Sequence, residues 1–351
     1  MGLFDISRQI LSDLLDSRNV SNQIQYDEIP KAQTTSTADV NLRLGYSELS
    51  IQSKRVYHEM ERGYRRREKE IRLSSSLSVG QSAHSLIEIH QAILNDNPEL
   101  FFVSPHLRMN PGFSAAVYPE YMYDSGRTSE INRTIDDIAK RLIARSTADI
   151  VQKEKLVNDF LVSNVRYRDD DRYEYHTIVG ALIDGTAVCE GISHATTYLL
   201  RRMGVPCCNI MGKLGAEPHS WNIVSINGKF YHLDVTNNRA DQGVAYRYFN
   251  LSDYEMRSTH SWTSKIVCDD DSLSYHGNNS IRCHADDVSD LICKAIVSRE
   301  PEIVLSVKGG YTMDELSRAV GKAIKSSRSS VECKFYIDEK PGYCKITMRY
   351  K

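Results

Sequence analysis

The stretch GTAVCEGISHATTYLLRRMG, residues 185–204, decides how this chain is read, because its cysteine is the first in the sequence. The small residues Gly185, Thr186 and Ala187 lead into a helix whose first turn holds Cys189, and Ala195, Leu199 and Leu200 follow as an apolar stripe at helical spacing. Met203-Gly204-Val205-Pro206 ends the run. In a first turn the backbone N–H groups lack intrahelical acceptors and the helix dipole is positive, so a thiolate is favoured there and its pKa depressed. The N–H of Cys189 would also face the oxygen of a tetrahedral intermediate. The plainer reading is a small apolar thiol buried in helix packing, and the surroundings of Cys189 decide between the two.

A thiolate needs a base. The segment EPHSWNIVSINGKFYHLDV, residues 217–235, carries Asn227-Gly228 between two alternating runs, the strongest short hairpin signal. A two-residue turn there sets Trp221 opposite Asp234 and Ile223 opposite His232, so His219, Trp221, His232 and Asp234 project from one face. His219 and Asp234 become diagonal neighbours, close enough for the carboxylate to orient the imidazole while its other nitrogen takes a thiol proton. His232 lies on the same face, and the register alone does not exclude it; His219 is nearer the strand start, where a site open to substrate would be.

The rest of the chain bounds the function. At 351 residues with 41% hydrophobic and 26% charged content, it is an ordinary globular sequence long enough for a main unit with something smaller attached. A formal charge of -2 gives no footprint for nucleic acid, and the basic run RGYRRREKEIR, residues 62–72, is interleaved with glutamates as a solvated helix face would be. The first 19 residues have neither a signal-peptide pattern nor a membrane span. Leu3, Ile6, Ile10 and Leu14 make them a short amphipathic helix that packs on the body or on a partner, and Ile6 stands where a myristoylation signal would place serine or threonine. Eight unevenly spaced cysteines form no disulfide framework, which points to thiols in a reducing, cytoplasmic compartment. The Pro341-Gly342 turn centres too late for Cys333 and Cys344 to face each other. Cys268, Cys283, His284 and Cys293 include no C-x-x-C pair, and neither metal nor cofactor is expected.

The spacing predicts a polar linker over 16–44, helices over 50–71, 79–95, 130–144 and 149–165, and an edge strand over 113–123, since Pro119 argues against a central one. Strands follow at 207–211, 220–226 and 229–235, then a helical turn at 252–256 and a helix over 289–299. The tail alternates a helix at 312–327 with a Pro-Gly hairpin at 331–350. This divides the chain into an amphipathic helix and linker (1–44), a helical N-terminal region (45–145), a core (146–285) and a small α/β extension (286–351).

Three ordered motifs, GALIDGTAVCEGISHATTYLLRRMGVPC, HSWNIVSINGKFYHLDVT and YFNLSDYEM, carry a resemblance to the transglutaminase-like superfamily, and within it to bacterial transglutaminase-like proteins of the papain-like cysteine fold. The resemblance is close over 165–262 and looser upstream, around AILNDNPELFFVS at 92–104. It implies an α+β fold with the cysteine-bearing helix packed on an antiparallel sheet. By it Cys189 corresponds to the nucleophile, His219 to the base and Asp234 to the orienting carboxylate. Asn237 and Asn238 stand where relatives have an aromatic residue and an acid, a change expected to alter the cleft wall without touching the triad.

The implied chemistry is acyl transfer through a thioester on a protein or peptide substrate. Hydrolysis would make the protein a cysteine peptidase, an amine acceptor would make it a transglutaminase-type acyltransferase, and a third reading is a non-catalytic module whose helical N-terminal region recruits a partner. Calcium activation finds no support, because YRDDDRYEY at 167–175 reads as a solvated loop. Glu190 and Gly191 are expected to serve the helix start and close packing. Tyr167 and His176 remain open as a second oxyanion donor. The segment before residue 45 could cover the cleft as a propeptide would.

Overall fold

Ser50 accepts the backbone N–H of Ser53 and so opens α1, Ile51–Arg66, which closes at Arg67 in the left-handed conformation with φ 57°. The computed structural model describes residues 42–73, 83–109, 116–240, 243–244, 246–278, 280–338 and 343–350. The expected N-terminal helix and nearly all of the linker lie outside them. After α1 come β1 (Ile71–Arg72), α2 (Ala83–Asp96), β2 (Val103–Met109) and β3 (Ala116–Tyr121). Next are α3 (Ser125–Arg145) and α4 (Ile150–Asn164), capped by Asp124 and Asp149, whose carboxylates each accept the N–H three residues on.

The three-stranded sheet runs β1-β3-β2, so the strand holding Pro119 is central and not at an edge. The reason is local. β1 reaches only Val117 and Ala116, which leaves Pro119 paired on one side alone, with Leu107 of β2. The basic run at 62–72 also departs from a wholly solvated face: Arg65 binds Glu61, Asn97 and Glu99, and Arg67 donates to the carbonyl of Tyr123 while lying over the Phe102 ring. Arg66 and Arg72 keep to the surface and pair with Glu68 and Glu70.

β4 (Arg166–Tyr167) pairs in parallel with β5 (Thr186–Ala187), and Val188 in extended conformation then opens α5, Cys189–Arg202. β6 (Cys207–Leu214), β7 (Glu217–Ile226), β8 (Lys229–Leu233), β9 (Phe249–Leu251) and β10 (His260–Trp262) build an antiparallel sheet in the order β9-β8-β7-β6-β10. Asn227 and Gly228 both take positive φ, 53° and 79°, as a primed hairpin turn requires. The expected register follows, with Ile223 opposite His232 and Asn222 opposite Leu233.

α5 packs on this sheet through Ile192, Ala195, Leu199 and Leu200, all buried. Polar bonds fix it in place: the Asn222 amide donates to the Ser193 carbonyl and to Thr197 Oγ1, each at 2.9 Å, and the Ser193 and Ser220 hydroxyls meet at 2.9 Å. Gly191 lets the first turn dock, because a Cβ there would stand 2.2 Å from the carbonyl oxygen of Tyr175. The α+β architecture with the cysteine-bearing helix on an antiparallel sheet is therefore the one expected from sequence.

The C-terminal residues build a second sheet with its own core. β11 (Ile281–Cys283), α6 (Val288–Val297), β12 (Glu302–Val307), α7 (Met313–Ser327), β13 (Val331–Asp338) and β14 (Tyr343–Tyr350) place strands in the order β11-β12-β14-β13, around buried Ile292, Leu305, Leu316 and Ile346. Cys333 pairs with Met348 and Cys344 with Ile337, so the two cysteines are not opposite, and all eight thiols are free. Among the described residues no helix is long and apolar enough to cross a membrane.

Candidate functional site

Cys189 is the first residue of α5, and no side chain caps that end. The first-turn N–H groups therefore keep their capacity for an anion. Cys189 is half-buried and within hydrogen-bonding reach of His219, which comes from β7 across the helix–sheet boundary. The Nε2 atom of His219 lies 2.8 Å from Oδ2 of Asp234, at the end of β8, and the carboxylate is fully buried. With Nε2 turned to Asp234, Nδ1 is the ring nitrogen left for the thiol. The structure thus brings together the three residues singled out in the sequence.

Charge follows from that geometry. Burial pushes the His219 pKa down, but the hydrogen bond and charge of Asp234, then those of Cys189, outweigh it and raise it to about 10. Burial acts on Asp234 in the opposite sense, favouring the neutral acid, yet hydrogen bonds and charge from His219 and then His260 hold it well below the usual carboxylate range.

The rival His232 is occupied at both nitrogens. Trp221 Nε1 donates to its Nδ1 at 3.0 Å, so its Nε2 carries the proton and donates to Asp253 at 2.8 Å. The Trp221 ring in turn stacks on His219 at 5.8 Å between centroids. Gly212, opposite His219, gives that indole its space: a Cβ there would lie 2.7 Å from the ring and 2.3 Å from the carbonyl of Ser261.

Two residues belong to the site that sequence reasoning missed or misjudged. Asn237 is not confined to the cleft wall, since its amide nitrogen lies 2.6 Å from Asp234 Oδ2 and 3.1 Å from His219 Nε2. Asn238 instead is buried structure, accepting from the Tyr248 N–H and donating to Asn158. His260, from β10, places Nε2 at 3.2 Å from Asp234 Oδ2. A signal for it existed, because His-Ser-Trp occurs at 219–221 and again at 260–262.

Of the residues left open, His176 binds Glu190 through Nδ1 at 2.8 Å, whereas Tyr167 lies beside Ala187 and close enough to Cys189 to feel its charge. Gly191 has the close-packing place expected of it, while Glu190 is engaged with His176.

Among the described residues two groups have the donor types and proximity of metal ligands: His219, Asp234 and His260, and His232, Asp253 and Cys268. In the second, His232 Nδ1 already accepts a proton, so a metal on Nε2 would demand an imidazolate; the group fits a hydrogen-bond chain better. The first is likewise connected as two imidazoles on one carboxylate oxygen. Cys268 sits in the core with Trp221, while Cys283 and Cys293 pack against the C-terminal core, so the cysteines weighed from sequence as a metal set are not gathered.

A half-buried cysteine at a helix start, facing a histidine and a buried aspartate on an antiparallel sheet, defines a transglutaminase-like core. Residues 136–235 match the family model of the Transglutaminase-like superfamily. No curated protein matches the chain in sequence. Three solved structures are similar in part: a proposed cysteine protease from Cytophaga hutchinsonii, at 13% identity over 35% of this chain and 51% of that one with TM-score 0.27; a TGase, at 15% over 51% and 51% with TM-score 0.28; and a proposed protease from Parabacteroides distasonis, at 12% over 70% and 56% with TM-score 0.27. The match spans about half the length of each of those chains. Likeness of this size leaves the chemistry to the geometry of the site.

Proposed function

We propose that the protein is a cysteine-dependent acyl-transfer enzyme that forms a thioester on Cys189, with His219 as acid and base and Asp234 as its orienting carboxylate. The observation that supports this most is the position of His219, bound at Nε2 by buried Asp234 and on its other side within reach of a cysteine at an uncapped helix start. The thiolate attacks the carbonyl carbon, and the C=O electron pair moves to oxygen, where the Cys189 N–H stabilises it. On collapse the C–N bond breaks and the leaving amine takes the proton of His219. Water, deprotonated by His219, then attacks the thioester and releases the acid and the thiolate. A primary amine in place of water would give a transamidation.

Hydrolysis of a peptide or amide bond is the first reading and amine transfer the second. Intact-mass analysis of wild type and Cys189→Ala, each incubated with casein or a peptide library and a labelled primary amine, separates them. Cleaved peptides that vanish in the variant support hydrolysis, and label on glutamine that vanishes supports transfer. Products that persist in Cys189→Ala would refute the role given to the thiol.

A further inference from the structure

Behind the first turn of α5 lies a cavity of about 260 Å³ that the acyl-transfer reading does not use. Its walls come from two parts of the chain: the segment after α2, including Leu100 and Phe101, and the core segment with Asp171, His176, Glu190 and His194. Polarity is graded from mouth to floor. Asp171 is exposed at the mouth and has no lysine or arginine partner among the described residues. Glu190, next in sequence to Cys189, forms the wall and shares one carboxylate oxygen with His176.

His194 forms part of the buried lining, one helical turn beyond Glu190. Its Nδ1 faces the carbonyl of His176 at 3.2 Å and so carries the ring proton, which leaves Nε2 as a bare acceptor. That atom is buried and has no partner among the described residues. An unpaired buried acceptor is costly unless a ligand or water satisfies it. Burial also lowers the His194 pKa and favours the neutral ring, while Glu190 is held ionised against its own burial by His176 and His194.

The cavity thus offers two neighbouring acceptors, a neutral nitrogen and a carboxylate, beside an apolar wall and below an acidic mouth. We propose that it is a recognition pocket for a primary alkylammonium group, either a lysine side chain of the acyl substrate or the far end of an aliphatic diamine whose other, neutral amine attacks the thioester. The aliphatic stem would lie on Leu100 and Phe101 and the ammonium would donate to Glu190 and His194 Nε2. Its use in turnover rests on the acyl-transfer reading; its binding does not.

Binding is therefore measured by calorimetry on the full chain carrying Cys189→Ala, with n-pentylamine and N-acetyl-lysine methylamide as probes and 1-pentanol as the uncharged control. The amines should bind and the alcohol should not. Glu190→Gln should weaken amine binding about tenfold, a charge-assisted bond being lost, and the exposed Asp171→Asn, which puts the fold at little risk, about two- to threefold. Equal binding of pentanol, amine binding unchanged by both substitutions, or no amine binding would each overturn the pocket. With Cys189 restored, a Glu190→Gln rise in KM for 1,5-diaminopentane as acceptor assigns the pocket to the acceptor, and a rise for a lysine-bearing peptide assigns it to the acyl substrate. Effects on neither would overturn its role in recognition. Because binding is read without the thiol, a failed pocket and a failed assignment of Cys189 give different results.

Discussion

His260 Nε2 stands 3.2 Å from Asp234 Oδ2, the same carboxylate oxygen that His219 meets at 2.8 Å. An ionised carboxylate can only accept, so the bond to Asp234 places a proton on His260 Nε2, while Nδ1 meets Thr259 Oγ1 at 2.8 Å. We expect His260 to act as a positioning residue. His260→Phe keeps a ring against Trp221 but removes the donor, and should lower kcat about tenfold with KM unchanged, the worth of one hydrogen bond to a charged group. His260→Gln, which can donate again, should recover most of that loss. Equal losses in Phe and Gln variants would reduce His260 to packing.

Asn237 tests the same carboxylate oxygen. Its amide donates to Asp234 Oδ2 at 2.6 Å, so Asn237→Ala should cost kcat a few-fold. Asn237→Asp should be worse than Ala at neutral pH, in both Tm and turnover, because a second negative charge would face a buried carboxylate. The Tm gap between Asp and Ala variants should close as pH falls through the pKa of the new acid, which the neighbouring carboxylate raises above the ordinary value of about 4. A gap independent of pH would show the amide contact to be incidental.

The raised pKa of His219 fixes a sign. A histidine held charged in the fold contributes stability that is complete below its ordinary value of 6.5 and is lost as pH rises through about 10. Asp234, shifted downward, contributes above its ordinary 3.8 and loses that contribution as pH falls. Urea unfolding of wild type should therefore weaken between pH 7 and pH 10 more than that of His219→Gln. Turnover should fall through an alkaline limb near pH 10, where His219 loses the proton it gives to the leaving amine. An alkaline limb near pH 7 would contradict this charge state.

Gly191 is the backbone condition for the site. A Cβ there would meet the Tyr175 carbonyl at 2.2 Å, against backbone on another segment. Gly191→Ala should cost about 2 kcal/mol or more in urea unfolding, as overpacking does, and should lower Cys189 reactivity by shifting the first turn of α5. An unchanged midpoint would mean that the helix start moves freely.

Much of this site was legible because its information is local. Asn227-Gly228 sets one register, and the register alone carries His219 to Asp234; the apolar stripe of α5 places Cys189 at a helix start in the same way. His260 was not legible by that route, since β10 is three residues long and joins β6 from the far side of the sheet. Asn237 follows the end of β8, where alternation no longer says which way a side chain turns. Pro119 misled because the rule against central proline assumes two full neighbours, and β1 supplies two residues only. The cavity at Glu190 and His194 needed tertiary structure, for its two walls are distant in sequence.

The central claim, that Cys189 is a nucleophile activated by His219, is tested most directly by residue-resolved alkylation at pH 6 with limiting iodoacetamide. Cys283, Cys293 and Cys333 share the half-buried state of Cys189 and serve as internal controls. The account predicts that Cys189 is modified well ahead of these three and that His219→Ala removes its lead. Modification of all four at similar rates, or a lead for Cys189 that survives His219→Ala, would contradict it.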